Sequence, residues 1–152
     1  MMPAVPPPEA LNDPRLALIA RTHLKLMGAP LAESFDPQSL WCAPRVIVAH
    51  GTETDPVFFY GNSAALQLFE MDFAEFARLP SRFSAEPMER QARVALLERV
   101  ARCGFVDDYA GIRISKSGKR FAIENATVWN LLDDAGVYRG QAATFAVPLN
   151  FL

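Results

Sequence analysis

The sequence predicts an α+β fold: a five-stranded antiparallel sheet with helices on one face, plus an N-terminal helix. Three observations carry this reading. Two short apolar stretches, residues 45–50 and 57–60, flank the turn chemistry of Thr52-Glu53-Thr54-Asp55-Pro56 and read as a hairpin. Three strand-like stretches fill the C-terminal third and are joined by two short turns, as in an antiparallel meander. The segments between the two groups carry helical spacing, so the order is β-β-α-α-α-β-β-β.

Each element has its own signal. Residues 1–12 are proline-rich and aperiodic, which predicts a flexible or polyproline-like tail. Asp13-Pro14 opens a helix over residues 13–28, with Leu16, Ile19, Ala20, Leu24 and Met27 on its apolar stripe and Gly28 as its stop. His23 lies beside that stripe and reads as half-exposed. Residues 29–44 hold Pro30, Pro37 and Pro44 and read as a loop or short helical turn anchored by Trp41. Asn62 or Ser63 caps the next helix, and Asp72 caps a turn carrying Phe73, Phe76 and Leu79 that stops before Pro80. Pro87 opens a longer helix with Val94, Leu96, Leu97, Val100 and Ala101 as its buried set and Gly104 at its end. Strands follow over residues 106–115, 121–132 and 138–147, separated by Lys116-Ser117-Gly118-Lys119 and Asp133-Asp134-Ala135-Gly136.

Composition narrows the function classes. The 152 residues are 51% hydrophobic and 21% charged, which suits one globular domain and excludes wholesale disorder. A net charge of −2 offers no basic field for a nucleic-acid backbone, so no direct nucleic-acid binding is expected. No apolar run approaches the roughly 18 residues of a membrane span, and the N-terminus lacks a signal-peptide pattern. Cys42 and Cys103 form neither a disulfide framework nor a metal motif, and a reducing cytoplasm is the expected compartment.

Several motifs, in this order, resemble the PAS fold. They are Asn62-Ser63-Ala64-Ala65-Leu66-Gln67-Leu68-Phe69 after the hairpin, Lys116-Ser117-Gly118 between two long strands, and Asp134-Ala135-Gly136 before the last strand. More narrowly, the chain resembles the MEKHLA branch of PAS-like domains. This rests on Val48-Ala49-His50-Gly51-Thr52, Phe59-Tyr60-Gly61-Asn62, Leu79-Pro80-Ser81-Arg82-Phe83-Ser84-Ala85-Glu86-Pro87-Met88 and Gly111-Ile112-Arg113-Ile114-Ser115. Ala126-Thr127-Val128-Trp129-Asn130-Leu131 and Gly140-Gln141-Ala142-Ala143-Thr144-Phe145 complete the set. The resemblance covers residues 13–152: an N-terminal helix at 13–28 and a PAS core at 45–152. The branch occurs at the C-terminus of plant class III homeodomain leucine-zipper factors and as small free-standing bacterial proteins, and the resemblance implies the free-standing bacterial kind. It implies sensing or interaction without supplying a ligand.

The resemblance also suggests which side chains face the space between sheet and helices. Strand alternation anchored on the Lys116-Ser117-Gly118 turn places Tyr109, Gly111 and Arg113 inward, with Ile123, Asn125, Thr127, Trp129, Ala142, Thr144 and Ala146. The opposite face would take the N-terminal helix, or a partner's copy of it. An inward Arg113 needs an anionic or carbonyl partner. Either Glu86, Glu124 or backbone carbonyls supply it, or its planar fork clamps a carboxylate or phosphate ligand. Asn125, Thr127 and Thr144 would orient a polar ligand or bond across strands, and Trp129 would pack the core or offer a stacking platform.

Ser81-Arg82-Phe83 falls where flavin-binding light sensors of the superfamily carry Asn-Cys-Arg-Phe-Leu-Gln. Ser81 replaces the reactive cysteine, which excludes a thiol–flavin adduct at that position. Arg82 is a candidate binding residue or a partner of Glu86. His50 and Asn62 are candidates at the strand end, with a hydrogen bond to a nearby turn as the alternative for His50. Neither His23 nor His50 lies on the long helix where a haem PAS domain carries its ligand, and no nucleophile–base–orienter set is marked. The expectation is a non-catalytic, cofactor-free sensory module. It would bind a small polar or anionic metabolite through Arg113, Asn125, Thr127, Trp129, Thr144, Arg82, Tyr109, Asn62 and His50. It would signal through a homodimer built on the N-terminal helix and outer sheet face, or through partner contact. The alternative is a ligand-free dimerisation scaffold.

Overall fold

Strands β1 (Val46–His50), β2 (Phe58–Gly61), β3 (Phe105–Ile114), β4 (Arg120–Leu132) and β5 (Tyr138–Phe145) form one antiparallel sheet in the order β2-β1-β5-β4-β3. This is a computed structural model, and it describes residues 5–84 and 90–152. The last strand of the C-terminal meander pairs with the first strand of the hairpin, from Val46 opposite Phe145 to His50 opposite Gln141. Hairpin and meander thus become one sheet, as the sequence predicts.

The helices are α1 (Glu9–Asn12), α2 (Arg15–Met27), α3 (Pro37–Cys42), α4 (Ser63–Phe69), α5 (Phe73–Phe76) and α6 (Arg90–Cys103). The starts of α3, α4 and α5 follow capping chemistry: Asp36, Asn62 and Asp72 accept hydrogen bonds from the amides of Ser39, Ala65 and Glu75. Helix α2 stops at Gly28, which sits at φ 73° and returns its amide to the Leu24 carbonyl. The inferred start of the long helix at Pro87 lies outside the described residues.

The sheet is covered on both faces. Helices α4, α5 and α6 pack on the inner face around Val48, Phe58, Phe76, Phe121, Ile123, Val128 and Phe145. Helices α1, α2 and α3 pack on the outer face around Ile47, Ala49, Trp129, Leu131 and Ala142. The outer face therefore takes the chain's own N-terminal helix.

Several expectations are corrected. Of the residues read as a tail, 9–12 form a helical turn whose Ala10 is fully buried against the outer-face cluster. On α2 the buried stripe runs through Leu16, Ile19, Thr22 and His23, while Leu24 is exposed. His23 is buried because its Nδ1 bonds the Ala29 carbonyl at 2.9 Å and its ring meets Trp129 edge-on. On α6, from residue 94 onward, Leu96 and Val100 are buried while Val94, Leu97 and Ala101 are exposed.

The largest correction concerns strand phase. Tyr109 pairs with Ala126 but Gly111 pairs with Ile123, so β4 carries one extra residue there. Asn125, at φ 51°, is in the left-handed region that asparagine tolerates better than most residues, and it forms this bulge. A second irregularity between Val106 and Tyr109 gives β3 its own extra residue at Asp107-Asp108. Because side chains alternate strictly, one inserted residue exchanges the faces. Phe121 and Ile123 face inward before the bulge; Ala126 and Val128 face inward after it. Thr127 and Trp129 are consequently turned to the outer face.

Candidate functional site

A partly open cavity of about 70 Å³ lies between the inner face and its helical cover. Its walls are mainly apolar: Val48, Phe58 and Phe69, with Leu96, Ile123, Val128, Ala143 and Phe145. Polar groups enter from Tyr109 and Arg113 on β3, His50 on β1, Gln141 on β5, and Ser81 and Ser84 of the 3-10 turn at Ser81–Ser84. Few polar groups in an apolar hollow is the usual make-up of a ligand site.

β3 builds the most distinctive wall. Tyr109, Gly111 and Arg113 alternate onto the inner face. A Cβ on Gly111 would lie 2.6 Å from the Tyr109 hydroxyl, so the phenol occupies the space a side chain would need. Lying along the strand, Tyr109 accepts a hydrogen bond from Arg113 Nη2 at 3.0 Å, and the guanidinium carbon lies 5.5 Å from the ring centroid. Tyr109 is 7% exposed and Arg113 half-buried. Among the described residues Arg113 forms no ion pair; the Glu86 pairing considered from sequence lies outside them.

Of the nine candidates from sequence, the structure brings Arg113, Tyr109 and His50 together at this cavity. His50 Nδ1 lies 2.9 Å from the Gly51 carbonyl, the turn contact expected of it. The other six lie elsewhere. Asn125 is exposed at the bulge. Thr127 pairs across the sheet with Thr144, whose hydroxyl accepts from Arg45 Nε at 3.4 Å. Trp129 is buried on the outer face and donates from Nε1 to the Thr22 hydroxyl at 2.9 Å. Arg82 is exposed, pairs with Asp55 at 3.0 Å and stacks over Phe83.

Asn62 is a structural hub. Its Oδ1 accepts from the Ile47 and Ala65 amides, and its Nδ2 donates to the Leu40 and Arg45 carbonyls. All of its hydrogen-bonding capacity is turned to the backbone. Ala142 and Ala146, also assigned inward, belong to the outer cluster and to the exposed chain after β5, respectively. Sequence reading missed Ser84 and Gln141; the pair Glu124-Asn125 interrupting an apolar alternation was the signal that the phase changes.

A larger hollow of about 450 Å³ lies between α2 and the β4–β5 turn. Arg21 and Lys25 line it with Asp133 and Asp134; Arg21 pairs with Asp134, and Asp133 pairs with Arg139 outside the hollow.

A five-stranded antiparallel sheet in this order, wrapped over short helices with a polar-edged cavity between, defines a PAS-like domain. The PAS domain of a protein from Colwellia psychrerythraea superposes with a TM-score of 0.62 at 12% identity, over 70% of this chain and 88% of that one. A structure described as a light-oxygen-voltage domain with a flavin analogue gives 0.59 at 17% identity, over 71% and 80%. The chain belongs to the MEKHLA domain family, whose model matches residues 15–147. It is also similar to the homeobox-leucine zipper protein ATHB-9 of Arabidopsis thaliana, 28% identical over 83 residues. That match takes in 55% of this chain and 10% of ATHB-9, so the chain spans about a tenth of that relative.

Among the described residues, no helix is long and apolar enough to cross a membrane, and no group of three or more His, Cys, Asp or Glu could hold a metal ion.

Proposed function

We propose that this chain is a non-catalytic, cytoplasmic sensory module that binds a small polar or anionic metabolite in the inner cavity. Occupancy would be read out through self-association or contact with a partner protein. The observation that supports this is Arg113, a permanent cation at the wall of a mainly apolar hollow, bonded to a buried phenol and to no carboxylate of the described residues.

Flavin, whose analogue the light-oxygen-voltage neighbour is described with, fits these residues poorly. About 70 Å³ is far below the roughly 300–1,000 Å³ of a drug-sized ligand site, and Ser81 cannot form the thiol adduct.

Thermal unfolding against a panel of small polar and anionic metabolites tests the reading. A ligand at about 100 times its Kd adds about 2.7 kcal/mol, which is a melting-temperature rise of several degrees for a domain of this size. The rise should be lost in Arg113→Ala. A folded Arg113→Ala that kept the full shift would remove Arg113 from the site, and a panel with no shift would remove the site.

The dense packing of both sheet faces favours a second reading, a ligand-free interaction scaffold. It predicts an unchanged association state on sedimentation with or without any ligand.

A further inference from the structure

The geometry points to a small monocarboxylate with a short apolar tail as the occupant of the inner cavity. Its carboxylate would bridge Arg113 and the Tyr109 hydroxyl. This rests on the ligand-binding reading above and narrows it to one chemical class.

Charge comes first. Arg113 is the one cationic side chain among the described residues lining the cavity. A single guanidinium matches a monoanion and leaves a phosphate dianion under-neutralised.

Donor geometry comes second. The Tyr109 oxygen accepts from Arg113 Nη2, so its own proton is not used in that bond. No other bond of that hydroxyl occurs among the described residues. The remaining guanidinium N–H groups and this O–H form a mixed donor pair suited to the two oxygens of a carboxylate. Gly111 is a positioning residue: only without a Cβ there can the phenol lie alongside Arg113.

Shape comes third. Beyond the polar end, Val48, Phe58, Val128 and Phe145 offer no hydrogen-bonding side chain. At roughly 10–15 Å³ per water-sized centre, about 70 Å³ holds roughly five to seven heavy atoms, a carboxylate with a tail of roughly two to four carbons.

The test is calorimetric titration of the full chain at constant ionic strength. The probes are the straight-chain carboxylates from acetate to octanoate, the matched primary alcohols, and inorganic phosphate. Saturable carboxylate binding with an optimum at intermediate length is expected, with alcohols at least about tenfold weaker. Arg113→Gln should weaken the best carboxylate by roughly ten- to a hundred-fold, and Tyr109→Phe by several-fold. Gly111→Ala keeps the charge but displaces the phenol, and should resemble Tyr109→Phe; a melting curve confirms that each variant is folded.

Alcohols or phosphate binding as tightly as carboxylates would overturn the assignment of class. So would the absence of carboxylate binding, while the metabolite panel still decides the broader reading. Ala143→Leu fills the inner face. Carboxylate binding undiminished in Ala143→Leu would place the ligand elsewhere and overturn the cavity reading itself.

Discussion

Asn62 shows how much one side chain can organise. Wholly buried, it ends β2, caps α4 and ties the chain after α3 to β1. Its role as a cap is readable from sequence, since asparagine before an apolar helix has a limited set of uses. Its two donor bonds are not, because both acceptors are distant backbone carbonyls. Asn62→Asp separates the roles: it keeps both acceptor bonds, loses both donors and sets a carboxylate against two carbonyl oxygens. A loss of about 2–4 kcal/mol is expected in urea unfolding, as large as for Asn62→Ala despite the near-identical shape. Glu70 offers a test in pH. It sits at φ 62° after α4, and hydrogen bonds from the Ser115 and Ser117 hydroxyls hold its carboxyl down to about 2. Its native value lies below the unfolded one. Its contribution is therefore complete above about pH 4.5 and is lost as pH falls through about 2. Glu70→Gln should flatten the acid limb of the stability curve across that window; an unchanged limb would mean the carboxylate is not so held.

At the scale of elements, α2 decides how the outer face is closed. Thr22 donates to the Leu18 carbonyl at 2.5 Å and accepts from Trp129 Nε1, joining helix to sheet at one hydroxyl. Thr22→Val preserves shape but strands a buried indole N–H. It should cost about 1–3 kcal/mol, while Thr22→Ser stays near wild type. His23 packs in the same seam. Burial lowers its pKa despite the Ala29 bond, so protonation favours the unfolded chain. Stability should fall as pH drops below about 6.5, the ordinary histidine value, and level off below the folded pKa; His23→Gln should remove that slope.

The same scale shows where sequence reading stopped. Element order, caps and the glycine stop of α2 are local properties and were legible. Strand phase is not local. Asp107-Asp108 and Glu124-Asn125 each put two polar residues in succession where alternation allows one, and each marks an irregularity. Read without them, β4 presented Thr127 and Trp129 to the wrong face.

For the whole molecule, the sheet is a two-sided partition. One row of residues on β1 and β5 serves both clusters: Val48 and Phe145 face the cavity, and Ala49 and Ala142 face α2. An occupant that moved these strands would be felt at the N-terminal helix, which is how the proposed binding would reach a partner. That the chain's own α2 fills the outer face means a dimer through this face requires α2 to shift. The expectation is therefore a ligand-dependent association state rather than a constant one, readable by sedimentation velocity with and without a saturating carboxylate.

If the space between sheet and helices receives a ligand at Arg113, backbone amides around it must report the occupant. The most direct test is the amide nuclear magnetic resonance spectrum of the intact chain titrated with butyrate. Saturable shifts concentrated at Gly111, Arg113, Gln141 and Ala143 are expected, with the Arg113 side-chain Nε–H moving in step. Shifts confined to Arg21 and Lys25 beside the outer hollow would contradict a ligand at Arg113.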